Sequence, residues 1–272
     1  MLLSYVDGLR LPAFAKGRGI CECCGDPTIA KCGPRVMHHW AHATRENCDP
    51  WWENETPWHR QWKSLFPIDW LERSHVSSTG EIHRADIKTP SGLVIEVQHS
   101  AMSDAERISR EEFYGNLVWI VDGRGFRSNF DIFHPLPHPA SELAEDLVWY
   151  RARRGQAGAV NGIFMRLSEN LIHHPGLTKR TVEADAMYEV HSLDGIRDAV
   201  IDAYYGHHQY YWVRPRKTWL DAKCPVYIDF GDDRLVRLQR YDDTGLPCIR
   251  LVSKREFVQY AMKSQLASDI IP

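Results

Sequence analysis

Hydrophobic and polar positions alternate most regularly between residues 81 and 99. In "EIHRADIKTPSGLVIEVQH" two apolar runs of period two flank Pro90, Ser91 and Gly92, a three-residue hairpin loop with glycine in the left-handed position. Thr89 then pairs with Leu93, and Ala85, Ile87, Ile95 and Val97 turn toward a core. The same register sets Asp86 directly opposite Glu96, with Cβ atoms roughly 5 Å apart. Upstream, Trp58, Trp62, Leu65 and Phe66 recur at helical spacing and predict a helix from Trp51 to about Phe66, its first turn marked by Thr56 and Pro57. A strand-like run covers about 70–76. Beyond the hairpin, Ser103 caps a helix with Glu106 closing a capping box, and "LVWIVDG" reads as a buried strand. The predicted order is helix, three strands, helix, strand.

After residue 126 the pattern is less regular. It predicts helices over 141–154 and 193–205, strands at "PVYIDF", "RLVRLQRY" and "IRLVS", and a short helix after Lys254. The whole reads as an α/β chain with a mixed sheet in three segments. Residues 1–50 form an N-terminal unit, 51–125 a core, and 126–272 an α+β extension that either continues the core sheet or stands apart.

Composition narrows the function classes. The 272 residues are 43% hydrophobic and 25% charged, with a formal net charge of −3, so nucleic acid would have to be held by local rather than bulk charge. No apolar run is long enough for a bilayer, and Asp7 and Arg10 interrupt any secretion signal. The expected setting is cytoplasmic, without a membrane partner.

Five of the seven cysteines (Cys21, Cys23, Cys24, Cys32, Cys48) fall in the first fifth of the chain, a distribution that suits metal better than disulfides. Cys21-x2-Cys24 has zinc-knuckle spacing, and His42 and Cys48 complete the first choice of a tetrahedral set. His39, Cys23 and Cys32 are substitutes, and reduced core thiols without metal are the alternative. A closed set of four ligands serves structure, since it leaves no coordination position for chemistry. Cys224 and Cys248 read as buried thiols. The adjacent His38 and His39 would suit a histidine-metal nuclease, but its other partners are not recognisable.

Two carboxylates held as close as Asp86 and Glu96 repel unless a cation lies between them, and a hard dication, magnesium or manganese, suits the pair. A solvated acidic pair on an ordinary hairpin is the competing reading. Glu55, His59 and Lys63, spaced by four, form a helical stripe that would bring a ligand, a proton donor and a cation to the same point. Gln98 shares the face of Glu96. It can orient a water but carries no charge, so Lys63 is the candidate for the missing cation.

The segments "CECCGDPTIAKCG", "HHWAHA", "ETPWHRQWK", "RADI", "VIEVQHSAMS" and "LVWIVDG" resemble, in order, the competence protein CoiA-like family of the PD-(D/E)xK nucleases. The resemblance runs from about residue 20 to 123. It implies a restriction-endonuclease-like core with an N-terminal zinc-binding unit. It also implies Asp86 and Glu96 as ligands of a catalytic Mg2+ or Mn2+, Gln98 as the third active-site residue, and Glu55, His59 and Lys63 as the helix motif. The chain departs from the family pattern at Trp40, where phenylalanine is usual, and in the extra cysteine of "CECCG".

The leading expectation is a metal-dependent deoxyribonuclease acting in DNA uptake, recombination or defence against foreign DNA. A zinc-containing nucleic-acid-binding module without catalysis is the alternative, and a structural or interaction protein is a third. DNA is the expected partner, with a second copy or other DNA-processing proteins left open. "RARRG" (151–155) and "RPRK" (214–217), the latter beside "HHQYYW", are basic clusters that read more simply as solvated faces than as strand contacts.

Overall fold

A computed structural model describes residues 1–44, 48–49, 51, 55–155, 161–182 and 187–267. It is a mixed α/β structure with several sheets, and it divides into two compact units. The first comprises residues 1–120, 222–225 and 257–272, and the second 121–221 and 226–256.

The first unit opens with five short strands: β1 (Leu3–Val6), β2 (Leu9–Pro12), β3 (Arg18–Ile20), β4 (Pro27–Lys31) and β5 (His39–His42). They lie side by side in the order β2-β1-β3-β4-β5. Trp40, 1% exposed, anchors this sheet by donating its indole N–H to the Leu11 carbonyl at 2.9 Å. The helix α1 (Pro57–Lys63) follows, with Thr56 as N-cap and Pro57 in the first turn as expected. It is shorter than the predicted span: Glu55 and Thr56 precede it and residues 52–54 lie outside those described. Trp58 and Trp62 are buried on its inner side.

Next come β6 (Ser74–Val76) and β7 (Ile82–Arg84), a hairpin, then β8 (Ile87–Lys88) and β9 (Val94–Gln98). The predicted run 81–89 is thus two strands parted at Ala85 and Asp86, because the chain changes partner there. The Ala85 N–H bonds to the Arg73 carbonyl, and the Glu72 N–H to that of Asp86. The β8–β9 register is the expected one. Ile87 pairs with Ile95, Thr89 N–H bonds to Leu93 across the loop, and Gly92 has φ of 87°. The helix α2 (Asp104–Tyr114) is capped by Ser103, whose hydroxyl accepts the Glu106 N–H. The Glu106 carboxylate takes Arg110 instead of closing the box. β10 (Leu117–Asp122), buried throughout, lies beside β9.

In the second unit β11 (Phe130–Pro137), α3 (Glu142–Asp146), β12 (Leu147–Trp149), β13 (Ile163–Arg166), α4 (Leu167–Asn170) and β14 (His191–Ser192) come first. Then follow α5 (Arg197–Asp202), β15 (Tyr204–Trp212), α6 (Lys217–Leu220), β16 (Val226–Asp229), β17 (Arg234–Arg240) and β18 (Pro247–Ser253), and the last helix, α7 (Lys254–Lys263), has most of its length in the first unit. Five of these strands form an antiparallel run in the order β11-β15-β18-β17-β16. The helix expected over 141–154 is one turn only. Leu147 and Trp149 are buried at alternate positions and pair with β13, so tertiary pairing overrides the helical spacing. The helix over 193–205 is likewise shorter, and Tyr204 begins β15. Cys248 is fully buried as expected, whereas Cys224 is only half-buried.

Candidate metal centres and carboxylate cavity

In the N-terminal sheet the turn after β3 carries the first two cysteines. Gly25, at φ 77°, lets its N–H reach the Cys21 carbonyl, and the Asp26 N–H points to the Cys24 sulfur at 3.5 Å. His42 ends β5, which pairs with β4 and so reaches the same corner. The sulfurs of Cys21 and Cys48 are 3.7 Å apart, and Cys24 Sγ lies 3.3 Å from His42 Nε2. Zinc–sulfur bonds of about 2.3 Å at tetrahedral angles put sulfurs about 3.8 Å apart, so the spacing fits one shared ion. All four ligand atoms lie within 4.8 Å of one another, and this Cys3His cluster could hold a metal such as zinc. Burial and the neighbouring Cys21 push the Cys48 thiol well above its ordinary range, a shift that a bound dication would reverse. The cluster matches the first-choice set; His39, Cys23 and Cys32 are not in it. His39 Nδ1 faces the Met37 carbonyl.

A cavity of about 280 Å³ lies in the same unit. Glu72, Asp86 and Glu96 stand in a row across three adjacent chain segments. The Glu72 N–H bonds to the Asp86 carbonyl at 2.9 Å, and the Asp86 N–H to Glu96 Oε1 at 3.2 Å. Asp86 Oδ2 accepts the Val97 N–H at 3.0 Å. Lys63, at the end of α1, reaches Asp86 Oδ1 at 3.0 Å, Glu72 Oε1 at 3.1 Å and Glu55 Oε1 at 3.2 Å. Arg110 of α2 reaches Glu96 Oε2 at 3.1 Å, and its other contacts are Glu106 and the Trp51 carbonyl.

Burial would discharge these groups, and their charges oppose it. For Lys63, burial lowers the pKa, yet Asp86, Glu72 and Glu55 together hold the ammonium above its usual value. Glu72 and Asp86 are both held below the usual carboxylate range, chiefly by Lys63 acting against burial. Glu96 goes the other way: burial and the Asp86 charge raise it, and Arg110 only partly compensates. Five carboxylates and four Lys or Arg side chains line the cavity among the described residues, so acids and bases nearly balance.

The six residues named from sequence all line this cavity. Glu55 lies just before α1, not on it, and still meets Lys63. His59 Nδ1 is turned to the Thr56 backbone and hydroxyl, at 3.2 and 2.9 Å. Gln98 is buried and its amide donates to the Ser100 carbonyl and hydroxyl, at 3.3 and 3.2 Å. Sequence reasoning missed Glu72, Arg84 and Arg110. The Glu106–Arg110 spacing on a predicted helix was the available signal for Arg110, whereas Glu72, with φ of 50°, belongs to no pattern.

Asp49, next to Cys48, connects the two sites: its carboxylate accepts the Arg84 N–H at 2.8 Å and faces His83 Nδ1 at 2.9 Å. Among the described residues the other convergence of three potential ligands is Glu169, Glu189 and His191 in the second unit, partly exposed. Of the basic clusters, Arg154 is paired to Asp131 and Arg216 stacks over Phe126. No helix among the described residues is long and apolar enough to cross a membrane. No protein-family model, curated protein or solved structure matches this chain.

Proposed function

We propose that the chain is a metal-dependent nuclease that hydrolyses phosphodiester bonds of DNA, with a core of the PD-(D/E)xK type and CoiA-like character. The observation that carries the reading is the convergence of Asp86, just before β8, and Glu96, on β9, on one cavity with Lys63. The donor set fits a hard dication: two carboxylates side by side, and a Glu96 carboxyl whose pKa burial and the Asp86 charge raise, a strain that a cation between them would relieve. Asp86 and Glu96 would hold Mg2+ or Mn2+, which lowers the pKa of a bound water and offsets charge on the phosphate.

The remaining steps belong to the chain. Lys63, kept charged and fixed by Glu55 and Glu72, meets negative charge developing on the phosphate oxygens. Gln98, anchored at Ser100, orients without exchanging a proton. His59 lines the same space and offers its Nε2 edge. The Cys3His cluster, held as zinc, keeps the adjoining Asp49–Arg84 wall in place.

One observation favours a second reading, a nucleic-acid-binding module without catalysis. Lys63 already neutralises Asp86, and Arg110 does the same for Glu96. Purified protein incubated with plasmid and linear single strands, with Mg2+ or Mn2+ against EDTA, separates the two. Metal-dependent cleavage lost in Asp86→Ala supports the nuclease; salt-sensitive binding with no cleavage leaves the binding module.

A further inference from the structure

The second unit holds a row of polar side chains that the nuclease reading leaves unused. Tyr227 on β16 is the cross-strand partner of Arg237 on β17, Arg237 of Arg250 on β18, and Arg250 of His207 on β15. Directly opposed residues project from the same face, so two guanidinium groups are neighbours there. Like charges in that relation destabilise a sheet. A carboxylate between them would resolve it, but the Arg237 guanidinium makes no hydrogen bond or ion pair among the described residues. It lies 5.8 Å from the centre of the Tyr227 ring. The acid next along that face, Asp229, is paired to Lys254 at 2.8 Å and bonded to the Gly231 N–H.

The other end of the row is more deeply buried. Arg250 is only 9% exposed and lies 4.4 Å over the ring of Tyr205, to whose carbonyl its Nε donates at 3.2 Å. His207 is 2% exposed, and its Nδ1 has no partner. The His138 ring stands 5.5 Å from His207 and 5.6 Å from Tyr205. Burial, with Arg237 adding to it, lowers the pKa of the Arg250 guanidinium. A half-buried Arg237 without an ion pair and a buried imidazole without a partner together cost stability unless an anion completes the set.

We infer that Arg237, Arg250 and His207 form a phosphate-binding site for the backbone of a single-stranded nucleic acid. Planar guanidinium forks match phosphate oxygens, which explains arginine rather than lysine at both positions. The choice of a strand over a free phosphate comes from Tyr205: its ring is half exposed beside Arg250 and offers a base a stacking surface. This choice rests on the nucleic-acid reading above, although the site belongs to a different unit from the carboxylate cavity.

The test uses the full chain with its zinc and a fluorescein-labelled single-stranded DNA, followed by anisotropy over a salt series without added Mg2+ or Mn2+ so that no cleavage intervenes. Arg237→Gln lowers affinity several-fold and reduces the slope of log K against log salt by about 0.7, the loss of one phosphate contact. Arg237→Lys keeps the charge and most of the slope. Tyr205→Ala weakens binding with the slope unchanged. Because the arginines repel one another, Arg237→Gln melts at or above the wild-type temperature without ligand. Wild-type affinity and slope in both Arg237→Gln and Arg250→Gln overturn the inference, as does wild-type protein that binds inorganic pyrophosphate but no strand. The nuclease reading fails separately, by absence of metal-dependent cleavage in the wild type, and leaves the binding result standing.

Discussion

Lys63 and Glu72 form a buried ion pair in which Nζ and Oε1 are 3.1 Å apart and neither side chain is more than 6% exposed. The second oxygen of Glu72 accepts the Leu2 N–H at 2.7 Å, so this one carboxylate joins α1 to the first strand of the N-terminal sheet. Removing one member of such a pair leaves an uncompensated buried charge. Lys63→Met is therefore expected to destabilise by about 3–5 kcal/mol. Glu55→Gln, where the acid is more exposed, is expected to cost about 1 kcal/mol or less. Urea denaturation of both variants checks the difference, and equal stabilities would remove Glu72 from this role.

Asp86→Asn keeps the acceptor for the Val97 N–H and removes only charge. Folding should survive while metal-dependent cleavage falls by about 10²- to 10³-fold, the scale of losing one preorganised electrostatic group. Gln98→Lys separates two readings of that position. A substituted lysine would enter a buried place near a site Lys63 already serves, so cleavage should fall rather than rise. A gain in rate would mean that Lys63 does not supply the site's cation.

Elemental analysis is expected to find one zinc ion per chain. Cys24→Ser or His42→Ala should release it and lower the melting temperature of the first unit, because binding free energy in a closed site is folding free energy. A His39→Ala variant should retain the metal, since His39 lies outside the cluster. Retention in His42→Ala with loss in His39→Ala would reverse the ligand assignment.

The hairpin was legible because period-two alternation, a Pro-Ser-Gly loop and a glycine at positive φ all demand one register, and Asp86 opposite Glu96 follows from it. The Cys-x2-Cys knuckle was legible for the same local reason. Glu72 was not: its importance comes from Lys63 nine residues away and from a backbone bond to Asp86, neither of which leaves a periodic trace. β11 and β15 were not legible: Pro135 and Pro137 interrupt the strand pattern of the first, and "HHQYYW" in the second shows no regular apolar alternation. In the fold β11 meets β15 with register shifts that accommodate those prolines. Leu147 to Trp149 continued a helical pattern that pairing with β13 outweighs.

Acid stability tests the second unit's core. The His134 ring stacks on Trp149, is 4% exposed, and leaves Nε2 without a partner. Burial lowers its pKa from 6.5 to about 4, with the Pro135 carbonyl opposing and His208 assisting the shift. The unfolded chain therefore binds a proton between those values that the folded chain refuses. Stability from neutral His134 is complete above about pH 6.5, is lost as pH falls toward 4, and levels off below, with a slope of up to about 1.4 kcal/mol per pH unit. His207, also lowered to about 4 by burial, adds a second proton over the same window. In urea melts between pH 7 and 4, His134→Leu should reduce the slope by about one proton, and His134→Leu with His207→Leu by about two. An unchanged slope in His134→Leu would mean that the ring is already protonated in the folded state, and the stack on Trp149 would then have to hold a cation.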